Sequence, residues 1–277
     1  MKRKALAAAA AIAILSSVAL LDSRYNLQCS HYELSFASLP TEFDGCKIAL
    51  ISDLHGWSFG KGNRRLVKMI QDAEPDLIVI TGDMVSRKED FVAARQLLQG
   101  IEGLAPTYYV NGNHEWGGNW TARIEALMEK YNVKCLSNQY EPVTRGDSHI
   151  IICGVEDRNG PADMPSPPEL AEKLRSEYPE DFVLWLSHRN DSLIYHPSLP
   201  VQLVLSGHAH GGIIRLPGIG GLLDVRGKLG AEYEKGVYCE GGLTQVVSRG
   251  LGNAVIVPRL FNRPELPIIS LKSSPRA

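Results

Sequence analysis

The chain of 277 residues is 44% hydrophobic and 22% charged, which is the composition of an ordinary globular protein with room for a sizeable core. Its net charge of −2 provides no overall basic field, so the composition indicates no nucleic-acid partner. The five cysteines are widely spaced and form no CxxC pair, which argues against a zinc ribbon and a thioredoxin-like motif.

The amino terminus has the pattern of a membrane-targeting segment. Three basic residues, 2–4, precede an uncharged run of 17 residues, 5–21, rich in alanine and leucine. This length is short for a membrane span and long for a signal-peptide core. We expect an uncleaved signal-anchor over residues 1–22, and cleavage after Ala19 is the alternative. Because the basic flank would stay in the cytoplasm, a single-pass protein with an extracytoplasmic domain is expected.

Residues 23–44 form a polar connector with one predicted edge strand, and the domain proper is predicted over residues 45–272. Its first half alternates apolar runs with amphipathic segments, which is typical of a parallel sheet with crossover helices. The strands predicted there are 47–52, 76–81 and 107–110, and the helices are 62–73, 88–99 and 121–131.

The second half changes character, because short apolar runs are followed by many glycines. Strands are predicted over 149–153, 182–186 and 201–205, with a helix over 169–177. Short strands over 213–216, 237–239 and 244–247 are predicted to form hairpins. The pattern as a whole predicts an α/β fold of two packed mixed sheets with helices outside.

Metal-seeking residues cluster where five of the predicted strands end. Because ligands gather at the carboxyl ends of strands in open sheets, the five blocks are expected to form one site. They contain five of the eight histidines of the chain. The blocks are Asp53-Leu54-His55, Gly82-Asp83, Gly112-Asn113-His114-Glu115, Ser187-His188 and Gly207-His208-Ala209-His210.

Aspartate and histidine together favour manganese, iron or zinc over magnesium or calcium. Seven protein ligands for two ions require a bridge, and a carboxylate, Asp83, is the natural choice. Two ions about 3.5–4 Å apart can share a water, lower its pKa and direct it at phosphorus. His114 can then supply the proton that the leaving alkoxide needs.

In order and residue type, the blocks resemble the calcineurin-like metallophosphoesterase superfamily, whose pattern is Asp-x-His, Gly-Asp, Gly-Asn-His-Glu, His and Gly-His-x-His. The similarity runs from about Ile48 to Arg215. It implies a four-layer sandwich in which His114 is the general acid. By this resemblance one metal is bound by Asp53, His55, Asp83 and His210, and the other by Asp83, Asn113, His188 and His208.

The anchor and the segment from Gly207 to Pro217 look like the membrane-anchored bacterial branch of that superfamily. Members of that branch are phosphodiesterases, some of which act as UDP-diacylglucosamine pyrophosphatases. The resemblance therefore implies a membrane-bound hydrolase of phosphodiester or pyrophosphate bonds with a lipid-linked substrate. A phosphoprotein or phosphomonoester phosphatase, or a non-catalytic metal-binding scaffold, remains the alternative.

The chain departs from the family pattern at three points. Many relatives have an aspartate where this chain has Ser86, and the anchored branch usually has glutamine where this chain has Ile213. No counterpart of the aspartate that orients the catalytic histidine in protein phosphatases can be placed. Outside the ligand set, Glu115 is expected to support its loop. Arg87, Arg158 and Arg189 are candidates to bind a substrate phosphate, with a solvated surface role as the alternative.

Overall fold

A computed structural model describes residues 2–230, 232–253 and 257–275 of the chain. Two six-stranded mixed sheets pack against each other, and a short two-stranded ribbon accompanies them. The predicted architecture of two mixed sheets flanked by helices is confirmed.

The first sheet contains the strands of the first half of the chain together with the carboxyl-terminal strand. Its central strands are parallel, whereas the carboxyl-terminal strand runs antiparallel to its central neighbour and parallel to the edge strand. In spatial order the strands are β1 (Gln28–Phe36), β14 (Glu265–Ser273), β2 (Lys47–Ile51), β3 (Leu77–Thr81), β4 (Thr107–Val110) and β5 (Val133–Cys135).

The second sheet contains three parallel central pairings, and its two edge strands are antiparallel to their neighbours. In spatial order the strands are β12 (Gly236–Glu240), β13 (Leu243–Val247), β9 (Leu203–Ser206), β8 (Val183–Ser187), β7 (Ser148–Val155) and β6 (Gln139–Arg145). The ribbon pairs β10 (Arg215–Leu216) with β11 (Gly220–Gly221).

Alternation along the strands decides which residues face which layer. In β2, Ile48 and Leu50 belong to the core between the sheets, while Ala49 and Ile51 pack with helices on the outer face. Trp185 of β8 packs outward in the same way. The helices are α1 (Lys2–Tyr25), α2 (Arg64–Ala73), α3 (Phe91–Ile101), α4 (Asn113–Gly117), α5 (Thr121–Lys130), α6 (Pro167–Glu177) and α7 (Ser192–Tyr195).

The layers follow from the buried residues that each helix contributes. Helices α2, α3 and α5 cover the outer face of the first sheet, and α6 and α7 cover the outer face of the second. Side chains from both sheets share the central core. Each predicted helix of the domain is present within a few residues of its expected bounds, whereas β5, β6 and β14 had not been predicted.

The amino-terminal segment forms helix α1, but this helix is not the membrane anchor that the sequence predicted. Among the described residues, no helix is both long enough and apolar enough to cross a membrane. The uncharged run of 17 residues, eight of them alanine, is shorter as a helix than the membrane core, which is about 30 Å thick. The single-pass anchor over residues 1–22 is therefore wrong, and the extracytoplasmic placement that rested on it is withdrawn.

The carboxyl-terminal end of α1 packs against the domain. The hydroxyl of Ser23 is buried and accepts a hydrogen bond from the backbone N–H of Asn262 at 3.2 Å. The guanidinium of Arg24 lies over the Trp57 ring, 4.7 Å from its centroid. These contacts place the end of the helix beside the loop that follows β2 and the segment that precedes β14.

Candidate metal centre

Each of the five blocks lies directly after a strand. Asp53 and His55 follow β2, Asp83 follows β3, and Asn113 follows β4, all in the first sheet. His188 follows β8 in the second sheet. His208 and His210 follow β9, beside β8. Parallel pairing brings the carboxyl ends of these strands to one edge of each sheet, so the seven predicted ligands converge as expected.

The backbone at the centre is unusual, since five of the seven predicted ligands have positive φ. Left-handed backbone in residues other than glycine is uncommon, and such strain persists only where the surrounding structure enforces it. The φ values are 51° for Asp53, 45° for His55, 53° for Asp83, 65° for His208 and 48° for His210.

Close backbone approach at the centre requires glycine beside these ligands. Gly82 has a φ of 78°, and a Cβ there would lie 2.5 Å from the backbone nitrogen of Gly112. At Gly207 a Cβ would overlap the side chains of Ser52 and Asp53. Side chains at these positions would therefore push the ligand loops apart.

The ligand atoms form two neighbouring groups. In one, His210 Nε2 lies 3.3 Å from His55 Nε2 and 3.6 Å from the Oδ1 of Asp53. The other group surrounds His188 Nε2, which lies 3.0 Å from Asn113 Oδ1 and 3.1 Å from His208 Nδ1.

Asp83 lies between the two groups. Its Oδ2 is 3.2 Å from His188 Nε2 and 3.7 Å from His55 Nε2, so one carboxylate oxygen faces both groups of ligands. Its Oδ1 accepts a hydrogen bond from the backbone N–H of His114 at 2.9 Å, which fixes the orientation of the carboxylate. This is the arrangement that a bridging ligand needs.

The donor set fits divalent metal ions. Neighbouring ligands at about 2.1 Å from an octahedral ion lie about 3 Å apart, which is close to the spacings found here. His188 Nδ1 lies 2.7 Å from the backbone carbonyl oxygen of Thr81, and His55 Nδ1 lies 2.7 Å from the hydroxyl of Ser86. If each Nδ1 carries the proton and donates it, both Nε2 lone pairs point into the centre. Ser86 thus supports His55 at the position where many relatives have aspartate.

Burial and neighbouring charges shift the pKa values of the residues at the centre. Burial raises the pKa of Asp53 to about 6 and lowers the pKa of His55 to about 3. Burial also opposes charge on His188, but the Asp83 carboxylate raises the pKa of that imidazole to about 10. In turn, His188 outweighs the effect of burial and holds the pKa of Asp83 well below its usual range. The positive charge of the His188 imidazole and the negative charge of the Asp83 carboxylate therefore stabilise each other.

His114 differs from the other histidines of the blocks. Its side chain is 35% exposed and faces the cavity over the centre, and its Nε2 lies 3.9 Å from Asp83 Oδ2. Its ring meets the His55 ring edge to face, with the centroids 4.8 Å apart. Among the described residues, Asp83 is the one carboxylate within ion-pair distance of His114, and it already belongs to the ligand groups.

Glu115 supports the loops, as its position predicted. The carboxylate is fully buried and accepts hydrogen bonds from the backbone N–H groups of Asp83, Val85 and Gly112, at 2.8, 3.1 and 2.8 Å. Burial, together with the nearby Asp83 charge, raises the pKa of Glu115 to about 7. It therefore holds the loops after β3 and β4 together from behind.

A cavity of about 660 Å³ opens over the centre and contains two of the three candidate arginines. Arg189 donates to the buried Asp157 carboxylate from Nε at 2.7 Å and from Nη2 at 3.0 Å. Arg158 also lines this cavity, whereas Arg87 does not and pairs with Asp90 instead.

The sequence analysis did not identify two residues that act on the centre. Asp157 lies two residues beyond the end of β7, which is the same kind of strand-end position at which the five blocks lie. Arg259 is buried behind His210, with its Nη2 3.2 Å from His210 Nδ1. No sequence motif precedes Arg259, and it lies next to His210 only in the folded chain.

The layers and the convergent aspartates and histidines define a metal-dependent phosphoester hydrolase. The chain belongs to the calcineurin-like phosphoesterase family, whose sequence model matches residues 46–212. Arg259, which lies behind His210, is beyond that match.

Named relatives occur in bacteria and animals. The chain is 29% identical to the uncharacterized metallophosphoesterase YkuE of Bacillus subtilis, over 90% of this chain and 86% of that protein. It is 28% identical to a transmembrane protein with metallophosphoesterase domain from Bos taurus, over 95% of this chain, and spans 61% of the length of that protein. The solved structure of TT1561 from Thermus thermophilus is similar over 74% of this chain and 89% of that chain, with 16% identity and a TM-score of 0.47.

Proposed function

We propose that the chain hydrolyses phosphodiester or pyrophosphate bonds at a two-metal centre, with His114 as the general acid. The observation that carries the proposal is the position of Asp83, whose single Oδ2 faces both ligand groups. The proposed ligands of one ion are Asp53, His55, Asp83 and His210, and those of the other are Asp83, Asn113, His188 and His208. The mixture of carboxylate, amide and imidazole supports manganese, iron or zinc.

When bound, a metal pair supplies a nucleophilic water of lowered pKa and neutralises phosphate oxygens. The residues of the chain provide the rest of the chemistry. His114, exposed to the cavity beside Asp83, can protonate the leaving oxygen as the bond to phosphorus breaks. Arg189, held by Asp157, presents Nη1 next to His208 and can donate to a phosphoryl oxygen.

Phosphomonoester or phosphoprotein hydrolysis is the alternative within the enzyme class. The absence of a dedicated carboxylate beside His114 among the described residues argues against a phosphoprotein phosphatase, since in those relatives such a carboxylate orients the histidine. The lipid-linked substrate depended on the membrane anchor, so the proposal is restricted to the bond that is broken.

The first experiment measures turnover and metal content together. Purified protein loaded with manganese should hydrolyse bis(p-nitrophenyl) phosphate faster than p-nitrophenyl phosphate or a phosphopeptide. Protein that holds two metal ions but turns over no diester, monoester or pyrophosphate would be a scaffold and not an enzyme. Preference for the phosphopeptide would support the phosphatase instead.

The second experiment separates a proton donor from a ligand. His55, Asp83 and His114 also lie close enough together to form a ligand group, so His114 must be tested for both roles. His114→Ala should lower kcat by roughly 10²–10⁴-fold while the metal content is unchanged. Loss of a metal ion in this variant would make His114 a ligand. His149→Ala is the matched control, because His149 pairs with Asp181 outside the cavity.

A further inference from the structure

One wall of the cavity presents two guanidinium groups from neighbouring positions. Arg189 is held by an ion pair with Asp157. Arg158, which follows Asp157 in the chain, forms an ion pair with Asp191. All four residues lie on the loops after β7 and β8, and both arginines line the cavity above the metal centre. Each guanidinium is therefore oriented by its own carboxylate at one edge.

The two arginines differ in their distance from the proposed metal ligands. Arg189 Nη1 lies 3.5 Å from His208 Nε2, where it can reach the phosphoryl group that undergoes hydrolysis. Arg158 has no such contact with a proposed ligand. Its side chain is 51% exposed, and within the described part of the chain only its Nη2 donates a hydrogen bond, to Asp191. Its other donors are available to a ligand in the cavity.

One aromatic side chain, Tyr195, lies beside Arg158 in the cavity wall. The Arg158 guanidinium lies 5.3 Å from the centroid of the Tyr195 ring, which also lines the cavity and is 61% exposed. Stability does not account for this arrangement, because a half-exposed ion pair contributes about 0–1 kcal/mol. A cation followed by an exposed ring is instead suited to an anionic group that continues into an apolar or aromatic one.

We infer that Arg158 binds a second anionic group of the substrate, which makes the preferred substrate a pyrophosphate diester whose outer group lies against Tyr195. The inference rests on the proposed function and names the class of substrate for it. Water adds to the phosphorus beside Arg189, and the bond from that phosphorus to the bridging oxygen breaks. The leaving phosphate, held by Arg158, takes its proton from His114.

Two substrates that differ by one phosphate test the inference. They are bis(p-nitrophenyl) phosphate and P1,P2-bis(p-nitrophenyl) pyrophosphate. Arg158→Gln should lower kcat/KM for the pyrophosphate by roughly ten- to a hundredfold, the effect of one charge-assisted hydrogen bond, and change the diester by less than about twofold. Arg145→Gln is the matched control, because Arg145 is similarly exposed and paired with Asp76 but lies outside the cavity.

A binding measurement keeps the inference testable if the protein proves not to be an enzyme. Calorimetric titration with methylenebisphosphonate should give a Kd roughly tenfold or more weaker for Arg158→Gln than for the unchanged protein, while phenylphosphonate binds both alike. An equal loss of affinity for both ligands, or no loss of affinity for either, would overturn the role of Arg158. Absence of turnover with intact bisphosphonate selectivity would refute the proposed function and leave the second anion site standing.

Discussion

The pairing of Asp157 with Arg189 gives a prediction whose size follows from the structure. The carboxylate side chain is fully buried, the guanidinium is 20% exposed, and two hydrogen bonds of 2.7 and 3.0 Å join them. Asp157→Ala leaves a cation in a largely buried place without its partner. Loss of one member of such a pair costs about 3–5 kcal/mol, so the free energy of unfolding should fall by about that amount.

The same substitution should also affect catalysis. Without Asp157, Arg189 loses the contacts that hold its Nη1 beside His208, and we expect kcat/KM to fall by roughly ten- to a hundredfold. Denaturant unfolding and steady-state kinetics should be measured for Asp157→Ala, Arg189→Ala and the double variant. Because both residues act as one unit, the double variant should lose less than the sum, with a coupling energy of about 1.5–3 kcal/mol.

A second pair on the same cavity provides the control. Arg226 and Asp224 also form an ion pair, at 2.7 Å, but the arginine is largely exposed. The same cycle there should give a coupling energy below about 1 kcal/mol in stability. Additive effects at Asp157 and Arg189, or coupling no larger than in the control, would refute the assignment of Asp157 as a positioning residue.

Three further predictions concern the ligand loops. His188, whose pKa Asp83 raises to about 10 against the effect of burial, stabilises the metal-free fold fully below about pH 6.5 and loses that effect as the pH rises through 10. Metal must displace this proton, so chelator competition at pH 6, 7 and 8 should show affinity rising with pH; a flat profile would contradict the pairing. Ser86→Ala removes the hydroxyl 2.7 Å from His55 and should weaken metal affinity by about 10–100-fold in the same titration, whereas Ser86→Thr should largely restore it. Gly82→Ala places a Cβ against the Gly112 backbone and should lower the unfolding free energy by at least about 2 kcal/mol; unchanged stability would mean that the loops can separate freely.

The convergence of the proposed ligands was predictable because two local patterns coincide. A short apolar run predicts a buried strand, and the residues that follow it are delivered to the edge of the sheet whatever lies between the strands. For this reason Asp53 and His210 could be assigned to one site although they are 157 positions apart in the sequence. The same reasoning was available for Asp157, which follows β7 together with a second carboxylate, Glu156, but this pair was not recognised as a sixth block.

The strands and contacts that were not predicted depend on pairing between residues that are far apart in the sequence. Strand β14 is composed like many apolar segments, and only the folded chain shows that it lies between β1 and β2 in the first sheet. Arg259 lies next to His210 although the two residues are 49 positions apart in the sequence, and no local pattern encodes that contact. At the amino terminus, the predicted anchor was wrong, because no helix among the described residues is long and apolar enough to cross a membrane.

The left-handed backbone at the proposed ligands restricts which residue types could replace them, and therefore which metal ions the centre could bind. Asparagine, aspartate and histidine are the side chains other than glycine that most readily adopt positive φ, and they are also oxygen and nitrogen donors. At Asp83 and His55 the residue types that tolerate positive φ are therefore also residue types that can bind a metal ion. Exchange for cysteine or glutamate, which would suit other ions, would have to overcome backbone strain as well as altered coordination. The backbone conformation would therefore limit which ions a changed set of the proposed ligands could bind.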